Sequence, residues 1–519
     1  MPLELLNLSP QAGSRTEFTE SDFAIKKVYG GLAKPKLASM AYQEMGRVSM
    51  DSETTFVPRQ AWLTLAIASV ASFMIAIETS IISLALPQLR AGFPGASETK
   101  LSWVVNAYTI GVASLLLVSG WLADRYGRKK LFFGGLFIFF IASFVAALSP
   151  SADFLITVRV FQAIGGAMQY PAGLALLLAA FPPARIQTAI GIWGATGGLA
   201  AALGPTVGAL LVDAFDWQAV FFINVPVAAV VLVFGPRWVE ESTSSAAAER
   251  VDLLGVPLAS LGVGTAIFAI TQGENWGWGS LNLMITFLIA AVLVLAFIVR
   301  SRKHPEPLFD LGLFKIRSFR IGSIGTVFFI VAFFSWLISL PTFLQGAWEW
   351  SVLETGFAIA PGPMLCAIIS PPAGRIAERV GNGPLLTVGG LCGVAGLLCH
   401  LLWTGIEPDF LKGVLLPGLL IGIAAGLGFA QIIGTTMKDV PRDQFAMGGA
   451  GRTTIFQLSL ALGVALAFTI IGNPNRPSNE VLDGLQITWI MGICCYLVQT
   501  VLFASFSITE KANARHKVG

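Results

Sequence analysis

Charge is scarce in this chain: only 12% of its 519 residues are Asp, Glu, Lys or Arg, against roughly 25% in soluble domains. With 55% hydrophobic residues and a mean hydropathy of +0.74, this composition excludes a soluble globular protein. Histidine is rarer still, and His304, His400 and His516 are scattered without a ligand cluster, so no metal site is expected. The five cysteines, Cys366, Cys392, Cys399, Cys494 and Cys495, lie in apolar segments without spaced partners and read as small buried hydrophobes. A G-x-x-x-x-G-K-[ST] phrase is missing, and the apolar segments leave no room for an ATPase domain, so no nucleotide or other cofactor is expected. No apolar segment carries a Ser/His/Asp, paired-His or paired-carboxylate set of catalytic spacing, which argues against an enzyme. Residues 1–60 are of mixed charge without an apolar h-region, so no cleavable signal peptide is indicated and a disordered tail is expected. Nucleic acid is not an expected partner.

What the chain has in quantity is long apolar runs. A spanning helix needs about 20 apolar residues, whereas a barrel strand needs about ten of alternating polarity. The runs here are unbroken, so the expected fold is an all-α integral membrane protein. Bounded by charge, Pro or Gly clusters, helices are expected near 61–87, 101–123, 131–149, 154–180, 188–213 and 218–238. Eight more follow near 253–272, 281–300, 320–345, 355–376, 384–404, 411–437, 446–472 and 484–507, giving fourteen spans. An even number places both termini on one side. Tails and alternate loops on that side hold 28 of the 33 Lys and Arg, Arg452 counted among the loops, against Arg90, Lys100, Lys412 and Arg476 on the other. The positive-inside bias then makes both tails cytoplasmic, in a plasma or inner membrane.

One carboxylate breaks the first run: "FMIAIETSIISLALPQL" places Glu78 at bilayer depth. A charge there costs roughly 2.5 kcal/mol or more on insertion scales, so it is expected to have a function and a partner. In the fourth run Arg159, Gln162, Gly166 and Gln169 fall at i, i+3, i+7 and i+10, along one helix face that must meet protein or water.

A loop motif occurs twice. "GWLADRYGRKKL" follows the second span and "PPAGRIAERVG" the tenth. Each puts a small-residue helix end, an acid (Asp124 or Glu378), an Arg (Arg125 or Arg379) and a Gly into a short turn, which suggests two homologous halves. Gly120 permits close helix contact, Asp124 can pair with Arg or cap a neighbouring helix, and Arg128 to Lys130 can anchor the loop at headgroups. Such contacts, with Gly127 in the turn, would close a cytoplasmic gate in one state and break in the other.

These motifs resemble the major facilitator superfamily, and within it the fourteen-span drug:proton antiporter family. The first loop matches the superfamily's signature loop, and "RVFQAIGGAM" matches R-x-x-Q-G-x-G with Ala163 for the first Gly. "GGLAAALGPTVGA" resembles the antiporter phrase G-P-x-x-G-G with Ala209 for the last Gly, and "ETSIISLALP" resembles D-x-T-I-V-N-V-A-L-P with Glu for Asp. "DWQAVFFINVPV" resembles W-R-W-x-F-x-I-N-x-P, with Gln218 and Val220 as departures. The resemblance implies the major facilitator fold: a six-helix bundle at 61–238, a linker with two additional helices at 239–319, a second bundle at 320–507 and a short tail at 508–519.

It also implies that the first and fourth spans meet beside a central cavity, making Arg159 the partner of Glu78. Arg stays charged throughout, so the carboxylate is the member that exchanges a proton. Burial and a nearby guanidinium act on its proton affinity in opposite senses, and a cationic substrate would favour its ionised form. In the fifth span Gly197, Gly198, Gly204 and Gly208 permit close packing and Pro205 invites a bend; in the family's context they form an antiporter helix that favours exchange over leak. Phe329, Phe333, Trp336, Leu340 and Phe343 make an aromatic face on the ninth span, suited to packing or to a flat substrate. Gln345 and Gln431 are further cavity candidates. The expected function is proton-driven export of hydrophobic, often cationic, small molecules by a monomer in the lipid bilayer. The alternative is a transporter of one metabolite, siderophore, amino acid or lipid.

Overall fold

The computed structural model describes residues 56–242, 252–471 and 478–518, so all but the last few residues of the predicted tail at 1–60 lie outside it. Fourteen principal helices follow in order. The first six are α1 (Arg59–Leu84), α2 (Glu98–Tyr126), α3 (Arg128–Ala147), α4 (Ala152–Ala180), α5 (Ile186–Phe215) and α6 (Asn224–Phe234). Next come α7 (Gly255–Trp276) and α8 (Leu281–Lys303), then α9 (Arg317–Gly346), α10 (Pro361–Val380), α11 (Asn382–Trp403), α12 (Leu416–Met437), α13 (Phe445–Ile471) and α14 (Ser478–Val518). Thirteen segments of the described residues are long and apolar enough to span a bilayer, and α5, thirty residues long, takes the remaining place. Helix is the form these runs must take, because hydrocarbon offers no partner to a free backbone amide or carbonyl.

Prolines set the irregularities. The first helix ends at Leu84, and a short helix, Leu86–Gly92, restarts with Pro87 in its first turn. The tenth span is preceded by a separate turn, Val352–Ile359, and begins at Pro361. Ahead of α12, which has Pro at its first turn, Leu411–Leu415 form a wider π turn. The sixth span, expected as one run, is two helices, Ala219–Phe222 and α6, followed by a 3-10 turn.

Helix pairings repeat with an offset of eight. Helix α1 packs on α4 and α5 as α9 packs on α12 and α13; α2 pairs with α4 as α10 with α12; α3 pairs with α4 and α6 as α11 with α12 and α14. The contacts between the two six-helix bundles, α5 with α10 and α2 with α13, exchange into each other under the same offset. This is the two-bundle architecture that the repeated loop motif predicts. Helix α7 lies against α2 and α13, and α8 packs chiefly on α7, with only 17% of its apolar window buried.

Two kinds of helix start segregate to opposite ends. At one end Ser97, Ser151, Ser280 and Ser351 cap α2, α4, α8 and the turn before α10 from within their own segments. At the other, called the loop end because it carries both motif loops, carboxylates do so, from distant segments at α3, α5 and α13 and locally at α7, where Asp252 accepts from the Gly255 amide (2.9 Å). Glu241 accepts from the amides of Lys129 (2.9 Å) and Lys130 (3.2 Å) at α3. Asp124 and Glu378 do the same for α13 and α5.

Candidate functional site

The loop end is locked twice, by equivalent residues of the two bundles. Asp124, at the end of α2, accepts from Arg128 Nε (2.9 Å) and Nη2 (2.7 Å). It also reaches across to the other bundle, accepting from the amides of Ala446 (3.2 Å) and Met447 (2.7 Å), where the start of α13 presents unsatisfied N–H groups. Arg128 completes the bridge by donating to the Arg442 carbonyl (2.6 Å). Its counterpart Glu378, at the end of α10, accepts from the Thr188 amide (3.2 Å) and hydroxyl at the start of α5, and from Arg185 Nη1 (3.1 Å). The two acids thus pair with Arg and cap a helix at once, the two roles that sequence left open for Asp124.

The glycines of the motif are equally matched. A Cβ at Gly120 would lie 2.4 Å from Ala450 Cβ and 2.7 Å from the Ala446 carbonyl of α13, and one at Gly374 would lie 2.5 Å from the Gln187 carbonyl of α5. Gly127 and Gly381 turn the chain at φ 115° and 82°, a region costly to residues with a Cβ. Arg125 and Arg379 take no part in the locks: Arg125 lies over the Trp121 and Tyr126 rings, and Arg379 is exposed.

A second cluster lies inside the first bundle. Glu78 of α1 is ion-paired with Arg159 Nη1 of α4, and both side chains are wholly buried. Its other oxygen accepts from Gln162 Nε2 (2.9 Å) and Asn224 Nδ2 (3.1 Å). Arg159 donates further to the Val104 carbonyl (2.8 Å) and Gln162 Oε1 (2.7 Å) and lies 4.2 Å above the Tyr108 ring. Gln162 also donates to Ser143 Oγ (2.9 Å). Five helices, α1, α2, α3, α4 and α6, therefore contribute to one cluster, in which α4 and α6 offset the carboxylate's desolvation with a guanidinium and two amides.

Between the bundles lies a cavity of about 300 Å³. Phe333, Phe334, Trp336 and Leu337 of α9 line one wall, Phe429 and Phe456 another, and Tyr170, Trp193 and Gly197 the first bundle's side. Phe429 meets Phe329 and Phe333 edge to face at 4.8 and 5.2 Å, which fixes the wall's shape. Glu78, Arg159, Gln162, Gln169 and Gln431 are absent from the described lining, so five of the seven cavity candidates lie elsewhere. Gln169 turns back onto the Gly165 carbonyl of its own helix (3.2 Å). Gln431, its amide assigned so that both ends are satisfied, donates to Leu427 and accepts from Gly374. Gln345 is exposed at the end of α9. The aromatic face of α9 divides: Phe329, Leu340 and Phe343 are buried in packing, while Phe333 and Trp336 reach the cavity.

On α5, Gly198 approaches Cys366 and Ala367 of α10, and Gly208 approaches Ile81 of α1. Gly197 has nothing within 4 Å of a Cβ position, so it widens the cavity rather than packing a helix. Gly204 is buried, and the side chain of Pro205 is outside the described part.

Several residues of these clusters are not among those expected from sequence. Arg452, counted there as a loop charge, sits within α13, is 3% exposed and lines the cavity. A charge inside a predicted apolar run was the available signal. Asn224 and Tyr108 around Glu78 carried no such signal, while His400 is a buried packing residue that accepts a hydrogen bond from Trp336 Nε1 (2.9 Å) and stacks on Trp489.

The cavity and the Glu78 cluster adjoin through α2 and α4. Tyr108 carries the Arg159 guanidinium on its face, while a Cβ on cavity-lining Gly166 would lie 3.0 Å from its hydroxyl.

The Major Facilitator Superfamily profile matches residues 68–257 and 243–464. The multidrug resistance protein Stp of Mycobacterium tuberculosis (strain CDC 1551 / Oshkosh) is 34% identical over 420 residues, covering 80% of this chain and 76% of its own. The riboflavin transporter RibZ of Clostridioides difficile is 28% identical over 86% of this chain and 98% of its own. Among solved structures, the proton:xylose symporter XylE superposes with a TM-score of 0.63 at 12% identity, over 87% of this chain and 97% of that one. Profile, relatives and repeated helix pairings agree, and the chain, with fourteen principal helices among its described residues, belongs to the major facilitator superfamily of transporters.

Proposed function

We propose that this transporter exports hydrophobic small molecules in exchange for protons, by alternating access, with both termini cytoplasmic. The observation that carries this reading is the buried Glu78–Arg159 pair set behind an aromatic cavity whose loop end is locked. Glu78 is wholly buried in this conformation, so it exchanges its proton when the bundles move. Protonation removes the charge that Arg159, Gln162 and Asn224 converge on, and so changes the packing of α1, α4 and α6. Substrate and proton do not compete for one site, because Glu78 is not in the described lining. They are linked instead through Tyr108 and the α2–α4 contact, and through α1, which lines the cavity at Ile75 and Ala76 just before Glu78.

One proton moving down about 100 mV releases about 2.3 kcal/mol, and one pH unit adds about 1.4, enough for a several-hundred-fold gradient of a neutral substrate. The cytoplasmic orientation rests on the Lys and Arg bias, which survives the transfer of Arg452 from loop to cavity. The relative named for multidrug resistance supports efflux, and the one named for riboflavin supports a narrower substrate. Proteoliposomes with an imposed pH gradient test the reading. Efflux of a neutral aromatic dye should follow the gradient in the parent and lose that dependence in Glu78→Gln. Undiminished gradient-driven efflux in the variant removes Glu78 from coupling, and riboflavin flux without dye flux favours the narrow-substrate alternative.

A further inference from the structure

Arg452 is the one charged side chain among the described lining of the cavity, and it is not in an ion pair there. Its Nη2 donates to Thr453 Oγ1 (3.2 Å), and the Tyr170 hydroxyl of the opposite bundle lies within its reach. Its Nε is buried with no hydrogen-bond partner. An arginine stays protonated in every environment of this kind, so a positive charge without a carboxylate in the described lining faces a largely apolar, aromatic space that also holds Ser72, Thr196, Thr453 and Gln457. Asp124 of the adjoining helix α2 is already committed to Arg128 and to the first amides of α13. Buried guanidinium groups are stable when a fork of donors meets a carboxylate, sulfonate or similar oxyanion. Here the donors are present, and no described residue of the lining supplies the oxyanion.

We propose that the cavity binds aromatic organic acids as their anions, with Arg452 and Thr453 holding the acidic group and Phe333, Phe429 and Trp336 packing on the rings. This rests on the export reading for its direction, but the recognition itself is a property of the cavity. The sequence-based expectation of cationic substrates is reversed by it. No carboxylate is present in the described lining to receive a cation, and Arg452 would repel one. Tyr170 of α4 and Arg452 of α13 belong to different bundles, so an anion at Arg452 also changes a contact across the transport interface.

Two dyes that differ by one group make the test: 1-anilinonaphthalene-8-sulfonate and its uncharged parent, N-phenyl-1-naphthylamine. Binding to the full chain in nanodiscs, with empty nanodiscs subtracted, should be about ten- to a hundredfold tighter for the sulfonate, as expected for a charge-assisted hydrogen bond. Arg452→Gln should abolish that difference while keeping amine binding, and Arg452→Lys should keep part of it. Equal affinities in the parent, failure of the parent to bind the sulfonate, or an unchanged preference in Arg452→Gln would overturn the proposal. The parent comparison needs no variant, so a folding defect cannot mask the answer. Because binding is measured without a gradient, it stands apart from the proton-coupling test. A chain that binds the sulfonate but shows no gradient-driven flux refutes export alone.

Discussion

Cutting one of the two loop-end locks should open that end without unfolding the protein. In Asp124→Asn the neutral amide keeps one carbonyl oxygen and loses the charge that meets Arg128 and the Ala446 and Met447 amides. The Arg128 bond lies within one bundle and weakens in both states, while losing the cap on the Ala446 and Met447 amides of the other bundle costs about 1 kcal/mol. Those cross-bundle bonds exist only while the end is closed, so the whole penalty falls on the closed state. A shift of about fivefold towards the open state follows. Glu378→Gln should have a similar effect, because it removes the equivalent cap on α5. Spin labels at the exposed positions Lys130 and Asp439, one on each bundle, would report the change as a longer-distance population. Asp153→Asn is the control. Its ion pair with Lys100 (2.7 Å) is exposed and stays within one bundle, so the distance distribution should not change. Unchanged distances in both Asp124→Asn and Glu378→Gln would refute the assignment of these caps as the closure.

Other expectations concern packing, stability and pH. Gly120→Ala or Gly374→Ala places a methyl against the rigid backbone of the opposite bundle, so the same label pair should report opening at a penalty of about 1–3 kcal/mol, without any change in charge. Glu78→Gln alone leaves Arg159 buried without its counter-ion and should lower stability to denaturant by about 3–5 kcal/mol. Adding Arg159→Gln should recover most of that stability but not proton-driven flux; a double variant as unstable as the single one would contradict the ion-pair account. Asp252 precedes α7 and joins the end of α8 through Arg300 Nε (2.9 Å). Burial opposes its ionisation, but bonds from Arg300 and the Gly255 and Leu308 amides outweigh this and hold its carboxyl below the usual value of 3.8. A depressed carboxyl contributes stability above its unfolded pKa and loses it as pH falls through the folded one. Hydrogen exchange at the start of α7 should therefore stay slow down to that acidic range and quicken below it, whereas Asp252→Asn should exchange fast at neutral pH with no acid step.

The sequence carried the fold in its apolar runs, and the observed helices follow the expected ones within a few residues at most ends. Exceptions have local causes. Proline divides the tenth span, and α14 runs on past the apolar segment to Val518 because a polar helix continues it. Charge inside an apolar run was also readable, which is why Glu78 and Arg159 stood out. Asn224 and Tyr108 could not be found this way: they are ordinary residues at span positions, and only tertiary packing brings them to the carboxylate. Helical spacing placed Arg159, Gln162 and Gln169 on one stripe, yet the cluster sits at one level of α4, so only the first two reach Glu78. Arg452 shows the converse. Its charge was visible, but its closeness to a span end made a loop seem sufficient, and a cavity residue was overlooked.

The position of α7 has a consequence for how lipid-dissolved molecules approach the protein. The bundles meet along two seams, α2 with α13 and α5 with α10, and α7 packs over the first with α8 outside it. The second has no such cover among the described residues. The inserted hairpin therefore gives the transporter a shielded flank and a bare one, so that a compound partitioned in the bilayer meets the two seams as unequal doors.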